Sequence, residues 1–377
     1  MVWKLIESDR ELQQLLADHA DCDAVMVDTE FMRRNTFYPQ VALVQLCFED
    51  GIAGGHTAWL VDPLKIEDTS PLVALLGDPR VLKVLHSPSE DLEVFQHWLG
   101  VLPQPLFDTQ RAAALLNRGF GMGYRALVHS ICDVDLPKGE TRSNWLQRPL
   151  TDSQCQYAGL DVTWLLPVWR ELYKECLQRD RLDWVLSDGR DAIRGQGGAP
   201  ADYHTRIKTA WKLRPRQLAV LVAISRWRED TARRRDKPRN WIIDDKACLE
   251  LAQTDARTPG DLASDVELPA PVLRRHGQEL LDIIQVQNAL PREQLPEPLP
   301  PPLNSVQRDR LKKLKSRARL LAESLSIAPE ALLQSKDYER LLRQADGEEI
   351  VEPGHWHGWR EREAIAPLRA YLEGAAT

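Results

Sequence analysis

The sequence predicts an α/β domain, a mixed sheet flanked by helices, followed by two all-α helical bundles. Three observations support this prediction. Short apolar runs alternate with helical patterns in the first part of the chain, helical periodicity alone follows, and a proline-rich stretch divides the helical part. The expected domains are residues 1–195, 206–290 and 303–377.

Five apolar runs in the first domain have the length and composition of strands. The first three follow one another without a long helix between them, which predicts an antiparallel meander. The fourth lies between two helical patterns, as in a β/α arrangement. The runs are Ala24–Phe31, Val41–Phe48, Ala58–Val61, Val81–His86 and Leu106–Asp108.

The helix after the fourth strand is expected to begin at a capping box. Ser87 supplies a hydroxyl, Pro88 suits the first helical position, and Glu90 occupies the third. This places Asp91 in the first turn of the helix, close to the end of the strand.

A second capping box, Thr151–Gln154, opens another helix. This helix is expected to continue through residue 178, with a kink at Pro167 because proline removes a backbone hydrogen bond. Gly195–Pro200 has the composition of a linker.

Beyond the linker, helical patterns are separated by a proline-rich spacer, Pro291–Pro302, which should be stiff and extended. The helical patterns are Pro215–Arg235, Asp244–Gln253, Pro271–Ala289, Asn304–Ser324, Pro329–Asp346 and Arg360–Leu372.

Composition describes a globular chain without secretory or membrane-spanning signals. Of its 377 residues, 43% are hydrophobic and 28% are charged. The six cysteines are scattered without a C-x-x-C pair, which favours reduced thiols and a cytoplasmic location. Neither a membrane nor an obligate protein partner is indicated.

Charge is unevenly distributed along the chain. The net charge is −7, yet residues 206–240 contain 12 Lys/Arg against 3 Asp/Glu, and residues 308–319 contain seven basic residues and one acidic residue. Residues 1–100 show the reverse, with 17 acidic and 7 basic residues. This asymmetry indicates metal chemistry in one region and phosphate binding in another.

Four acids and a tyrosine carry the predicted chemistry. Asp28 and Glu30 are two apart on a strand and so share a face. Tyr157 and Asp161 are four apart on a helix, again on one face, and Asp91 lies in a first helical turn. Converging carboxylates repel one another unless cations neutralise them, and hard divalent ions prefer oxygen ligands.

Each feature alone also has an ordinary structural explanation. Two acids on a strand can form a solvated face, and an acid in a first helical turn complements the helix dipole. A Tyr and an Asp at this spacing usually form a partly exposed helix face. The combination of all five residues favours a catalytic site.

The blocks around these residues resemble known exonuclease motifs. The stretches Val27–Phe31, His86–Phe95 and Tyr157–Val162 are similar to the three motifs of the DEDD exonuclease superfamily, tyrosine subtype, and most closely to its ribonuclease D family. Residues 213–242 resemble the helicase-and-RNase-D C-terminal (HRDC) domain. Asn144 departs from the aspartate expected at its position.

The resemblance implies an RNase-H-like sheet, two HRDC-type bundles, and a 3′→5′ exoribonuclease that releases nucleoside 5′-monophosphates. Asp28 would bridge two Mg²⁺ or Mn²⁺ ions, Glu30 and Asp161 would complete one site, and Asp91 would serve the other, directly or through water. Tyr157 would orient the attacking water. The implied substrates are tRNA precursors and other small structured RNAs. A DNA 3′→5′ exonuclease and a non-catalytic RNA-binding scaffold are the alternatives.

The basic helical region is interpreted as an RNA-backbone contact through Arg214 and Arg233, Arg234 and Arg235. A solvated helix end is the alternative interpretation of the arginine run. The three tryptophans of this region, Trp211, Trp227 and Trp241, are expected in the core rather than stacked on bases. The segment His355–His357 is expected to be structural or interfacial and not a zinc site.

Overall fold

Six strands form one mixed sheet among the residues that the computed structural model describes, which are 2–49, 56–140, 143–197 and 203–374. They are β1 (Val2–Ile6), β2 (Ala24–Met32), β3 (Gln40–Phe48), β4 (Thr57–Val61), β5 (Leu82–Leu85) and β6 (Leu106–Asp108). Their spatial order is β1-β4-β3-β2-β5-β6. The pairs β2–β3 and β3–β4 are antiparallel and the other three pairs are parallel. The predicted meander is confirmed.

The described chain divides into two compact units. The first contains residues 2–32, 40–197 and 304–374, and therefore includes the whole sheet. The second contains residues 33–39 and 203–303. Within the described residues, no helix combines the length and apolar character needed to cross a membrane.

Strand β2 is buried on both faces until it reaches the acidic residues. Residues 24–27 are buried against both sides of the sheet, and Val44 of β3 belongs to the same apolar core as two of them. Accessibility rises at Asp28, and the pairing with β3 shifts its register between Glu30 and Phe31. The acids therefore lie where a buried strand reaches an accessible edge.

Eight helices accompany the sheet in residues 2–197 of the described chain. They are α1 (Asp9–Asp18), α2 (Ser70–Gly77), α3 (Ser89–Trp98), α4 (Thr109–Leu115), α5 (Tyr124–Cys132), α6 (Asp152–Thr163), α7 (Leu165–Gln178) and α8 (Leu182–Gly197). The sequence patterns did not predict β1, α1, α4, α5 or α8. Strand β1 lies at the sheet edge, where Val2 and Lys4 are exposed, so its hydrophobic signal is weak.

The predicted capping box at Ser87 is wrong. Helix α3 begins at Ser89, and Ser87 adopts a left-handed backbone conformation with a φ of 56°. The Ser87 N–H donates to the Asp108 carboxylate at 3.0 Å, so the chain turns sharply before the helix begins. Asp91 nevertheless lies in the first turn, as predicted.

The capping box of α6 is confirmed, with reciprocal contacts between Thr151 and Gln154. The expected kink is also present as a break between α6 and α7 at Trp164, three residues before Pro167.

The linker predicted at residues 195–200 is wrong for its first three residues, because α8 continues through Gly197. Residues 198–200 lie outside the described residues.

The second unit is a helical bundle around its own apolar core. Its helices are α9 (Pro215–Arg235), α10 (Arg239–Ile242), α11 (Asp245–Gln253), α12 (Pro259–Asp265) and α13 (Ala270–Asn288). Trp227 is buried in this core together with Phe37. Trp211 and Trp241 are 38% and 58% exposed, so the prediction of a core position is wrong for these two.

The last helices pack within the first unit. They are α14 (Ser305–Ser324), α15 (Pro329–Leu332), α16 (Ser335–Ala345) and, after a π-helical turn at Glu361–Ile365, α17 (Ala366–Gly374). The single helix predicted for residues 329–346 is wrong, because extended Leu333 separates α15 from α16. Trp359 stacks on Trp184 of α8 with ring centres 4.1 Å apart. Trp356 is buried and His355 lies 3.0 Å from Asp337, in agreement with a structural role.

Candidate active site

Three carboxylates from two elements meet beside the sheet. Asp28 and Glu30 come from β2, and Asp161 comes from α6. Each offers an oxygen atom within 4.8 Å of the other two. The strand period of two places the first pair on one face, and the capped helix brings the third carboxylate to it. The structure thus brings these three predicted residues together.

Asp91 joins the site from the first turn of α3 and lies outside that trio of oxygens. Its side chain is buried, and the Thr29 hydroxyl donates a hydrogen bond to its carboxylate at 2.5 Å. Its charge still acts on Asp28, because it is the largest Coulombic influence on the pKa of that residue. All four predicted acids therefore belong to one electrostatic site.

Burial disfavours the ionised forms of these acids when no cation is bound. It raises the pKa of Asp28 well above its ordinary value, and the charges of neighbouring carboxylates raise it further. Burial likewise raises the pKa of Glu30 to about 9 and those of Asp91 and Asp161 to about 7. Carboxylate oxygens in this arrangement suit hard divalent cations, which would favour the ionised forms.

Tyr157 is held over Asp161 by its surroundings. Its hydroxyl donates a hydrogen bond to the Asp161 carboxylate, which partly offsets the effect of burial on the pKa of that acid. Burial, followed by the charge of Asp161, raises the pKa of Tyr157 above its usual value, so the phenol stays protonated. A Cβ added at Gly139 would overlap the Tyr157 ring, and the ring of Trp145 lies 6.1 Å away. Tyr157 is therefore fixed as a hydrogen-bond donor.

A cavity of about 500 Å³ opens next to the acids. Its lining is largely apolar, with Asp28, Tyr157 and Asp161 at one side and the exposed Arg125 among the remaining residues. The full lining is Val27, Asp28, His86, Gly123, Tyr124, Arg125, Ala126, Leu136, Pro137, Tyr157, Leu160, Asp161 and Leu165. Such a cavity suits a flat, partly apolar group positioned beside the carboxylates.

The wall of the cavity is fixed by polar side chains that sequence patterns did not identify. The Tyr124 hydroxyl donates to the Leu160 carbonyl at 2.9 Å. His86 lies 2.9 Å from the Thr109 hydroxyl and 3.1 Å from the Met122 carbonyl. Burial lowers the pKa of His86 to about 4, so this imidazole is neutral near pH 7.

Gln45 was also missed by the sequence analysis. It pairs with Asp28 across strands β2 and β3 and is fully buried. Within the described residues, its amide oxygen and nitrogen have no hydrogen-bond partner. Because opposed residues of an antiparallel pair share a face, this amide lies on the same side of the sheet as the Asp28 carboxylate. Only the strand register, which sequence does not give, reveals this neighbour.

Comparisons with known proteins agree with this geometry. Residues 3–177 match a family model described as 3′-5′ exonuclease, and residues 217–284 match the HRDC domain. The chain is 40% identical to ribonuclease D of Pseudomonas paraeruginosa, over 98% of this chain and 97% of that protein. It is 38% identical to ribonuclease D of Escherichia coli, over 91% and 90%. The chain belongs to the ribonuclease D family.

The fold supports the same assignment. The crystal structure of Escherichia coli ribonuclease D matches with a TM-score of 0.89 and 35% identity over 99% of both chains. A structure from Bifidobacterium adolescentis, at 20% identity and a TM-score of 0.65, shows the same fold. Ribonuclease D is a metal-dependent 3′→5′ exoribonuclease, so the predicted hydrolase class and the RNase-H-like fold are confirmed. The second HRDC-like domain at residues 303–377 stays a prediction.

The arginines predicted to contact RNA lie in the second unit. Arg233 is paired with Glu229 and lies 4.8 Å from the ring centre of Phe37, whereas Arg234 donates to the Thr231 hydroxyl. Arg214 and Arg235 are exposed. Their role in binding RNA stays a prediction, and that of Arg233 has a structural alternative.

Asn144, the departure from the family pattern, contributes through its main chain. Its carbonyl accepts hydrogen bonds from the Gln147 N–H at 3.1 Å and from the Gln154 side chain at 3.5 Å. Since neither contact uses the Asn144 side chain, the substitution leaves the acidic site intact.

Proposed function

We propose that the chain shortens the 3′ ends of tRNA precursors and other small structured RNAs by one nucleotide at a time, releasing nucleoside 5′-monophosphates. The observation that carries this proposal is the set of three half-buried carboxylates whose oxygens lie within 4.8 Å of one another beside an open cavity. The Escherichia coli relative is described as an exoribonuclease involved in structured RNA processing, which supports the substrate class.

The four acids are the proposed metal ligands. Asp28, Glu30 and Asp161 offer the closest set of oxygens, and buried Asp91 adds a fourth carboxylate, enough for two Mg²⁺ or Mn²⁺ ions. When bound, the ions would neutralise the carboxylates, activate a water and stabilise the leaving 3′ oxygen.

The side chains around the acids would position the substrate and the attacking water. The apolar cavity would hold the terminal nucleoside, so that its phosphodiester lies beside the acids. Tyr157, a protonated phenol at the edge of the cluster, donates a hydrogen bond to Asp161, and its oxygen would accept a hydrogen bond that orients the attacking water. Arg125 lines the same cavity, where its guanidinium can neutralise a phosphate.

A cytoplasmic location is proposed on the chemistry of the cysteines. All six are free thiols in the structure, four of them buried. Burial raises the pKa of Cys176 and of Cys248 to about 12, which makes these thiols unreactive. Free thiols of this kind are typical of proteins in a reducing compartment.

The test is incubation of the purified chain with a 3′-extended tRNA, with Mg²⁺ or with a chelator, resolving products at single-nucleotide steps. We expect a ladder that shortens from the 3′ end, release of nucleoside 5′-monophosphates, and no products in chelator. A matched DNA oligonucleotide is the control. Internal cleavage, metal-independent cleavage or a preference for DNA would overturn the proposal.

A further inference from the structure

Helix α14 carries a line of cations on one face. Arg308, Lys312, Lys315 and Arg319 are spaced i, i+4, i+7 and i+11, so they project from the same side of the helix over about 16 Å. All four side chains are exposed. We call these four residues the basic stripe.

The stripe is not neutralised by neighbouring acids. Among the described residues, no carboxylate lies within 4.0 Å of Arg308, Lys312 or Lys315, and Lys315 instead faces the Ser335 hydroxyl. Arg319 pairs with Glu323 at 3.2 Å, but both partners are exposed and such a pair contributes little. Like charges at this spacing destabilise an isolated helix, so the arrangement favours an anionic ligand.

Two depressions connect the basic stripe to the loop between α4 and α5. One, of about 410 Å³, runs along all four cations. The next, of about 420 Å³, shares Lys315 and Arg319 with the first and is also lined by Phe120 and Tyr338. Because the two share residues, the basic surface continues to Phe120.

Phe120 connects this surface to the active site. Its ring is 52% exposed, which is unusual for a phenylalanine. It lies in the loop between α4 and α5, where Gln110 and His86 contact the Met122 carbonyl at 2.9 and 3.1 Å. Gly123, three residues after Phe120, lines the catalytic cavity. Three residues of chain span at most about 11 Å, so the backbone of Phe120 lies within that distance of the backbone of Gly123. An exposed aromatic ring therefore stands between the cavity and the stripe.

We propose that the basic stripe and Phe120 bind the single-stranded RNA that precedes the terminal nucleotide. Stacking of a base on an exposed ring and contact of cations with the phosphate backbone are the two elements of sequence-independent single-strand binding. This inference rests on the proposed function, since it supplies the path by which the 3′ strand reaches the cavity. Among the described residues, Glu330 is the one carboxylate lining the two depressions.

The first test is binding of an oligoribonucleotide of about 12 nucleotides in chelator, followed by fluorescence anisotropy as salt is varied. Lys315→Glu/Arg319→Glu should weaken binding at least about tenfold and reduce the salt slope by about 1.4, because two phosphate contacts are lost. Phe120→Ala should weaken binding at least about fivefold without changing the slope. Glu330→Gln should strengthen binding.

The matched control is Lys313→Glu/Arg317→Glu. It makes the same charge change at the same spacing on the same helix, but these residues line a different depression, which shares Lys312 with the first and does not include Phe120. Equal weakening by the two charge-reversal pairs, or none by the stripe pair, would overturn the inference. The milder Lys315→Gln/Arg319→Gln pair, with its melting temperature, guards against misfolding.

Turnover separates this inference from the proposed function. For stripe variants, kcat/KM on the longer RNA should fall at least about tenfold relative to kcat/KM on a dinucleotide, which is too short to reach the stripe. An unchanged ratio would contradict the inference while leaving the proposed function standing. Failure of the unsubstituted chain to hydrolyse either RNA would instead contradict the proposed function.

Discussion

The acids of the active site are unfavourable for the metal-free protein. Burial raises the pKa of each, and the charges of neighbouring carboxylates raise the pKa of Asp28 and of Glu30 further, so folding must either protonate the acids or provide a cation. No packing role requires Asp28 at the centre of this group, because residues of similar size without charge would fit. Its charge fits the proposed role in cation binding.

Asp28→Asn tests that explanation. The amide retains the size of the side chain but removes a charged ligand, so hydrolysis should fall at least about 100-fold while RNA binding in chelator is retained or strengthened. The measurement is release of labelled mononucleotides, with Asp18→Asn on the exposed face of α1 as control. Activity above about a tenth of normal would argue against the assignment.

The same groups predict how stability depends on pH in chelator. Asp91 and Asp161 have a pKa near 7 and Glu30 near 9 in the fold, against about 4 when unfolded. Between these values the folded protein binds more protons than the unfolded chain, so its unfolding free energy falls as pH rises.

The melting temperature in chelator should therefore decrease from about pH 5 to about pH 8, and saturating Mg²⁺ should oppose the decrease at the higher pH. Asp161→Asn should flatten the dependence in chelator. A melting temperature that rises over this range in chelator would contradict the raised pKa values.

At the scale of elements, some signals in the sequence were sufficient and others were not. The helix that carries Tyr157 and Asp161 could be predicted because Thr151 and Gln154 satisfy its first N–H groups locally. The beginning of α3 could not, because its geometry depends on Asp108, which is distant in sequence. Local chemistry predicts an element, whereas a tertiary partner can override it.

The cavity walls also depend on tertiary partners that local sequence does not reveal. The positions of Tyr124 and His86 depend on contacts with Leu160, Thr109 and Met122, which come from separate parts of the chain. The acids had paired spacing in the sequence, but these residues had no periodicity that marked them. The convergence of the carboxylates was therefore predictable, and the groups that shape the cavity were not.

An ion cluster joins α8 to the C-terminal helices of the first unit. The Asp188 carboxylate is buried, and its oxygens accept hydrogen bonds from Arg360 at 2.5 and 2.9 Å and from Arg111 at 2.6 Å. Burial alone would raise the pKa of Asp188, but the two guanidinium groups outweigh it and the pKa lies below its ordinary value. The cluster therefore depends on all three charges.

Asp188→Ala should destabilise the protein by about 3–5 kcal/mol, because buried Arg360 would lose its counter-charge. Chemical denaturation measures this loss. Glu7→Ala, which removes one partner of an exposed pair with Lys65, should cost less than about 1 kcal/mol. Equal effects of the two substitutions would show that burial does not determine the contribution of the Asp188 cluster.

At the scale of the whole molecule, the uneven charge distribution matches the division of chemistry. Residues 1–100, in which acidic side chains outnumber basic ones, contain three of the four clustered carboxylates. The basic segments lie downstream in α9 and α14. The net charge of −7 therefore hides cationic surfaces suited to RNA.

The central claim is that Asp28, Glu30, Asp91 and Asp161 fold together to hold divalent cations for hydrolysis at an RNA 3′ end. The most direct measurement is anomalous diffraction from crystals of the chain soaked in Mn²⁺. We expect manganese peaks among these carboxylates that disappear in the Asp28→Asn variant. Crystals that show no manganese there, from a preparation that hydrolyses RNA in the same Mn²⁺ solution, would contradict the account.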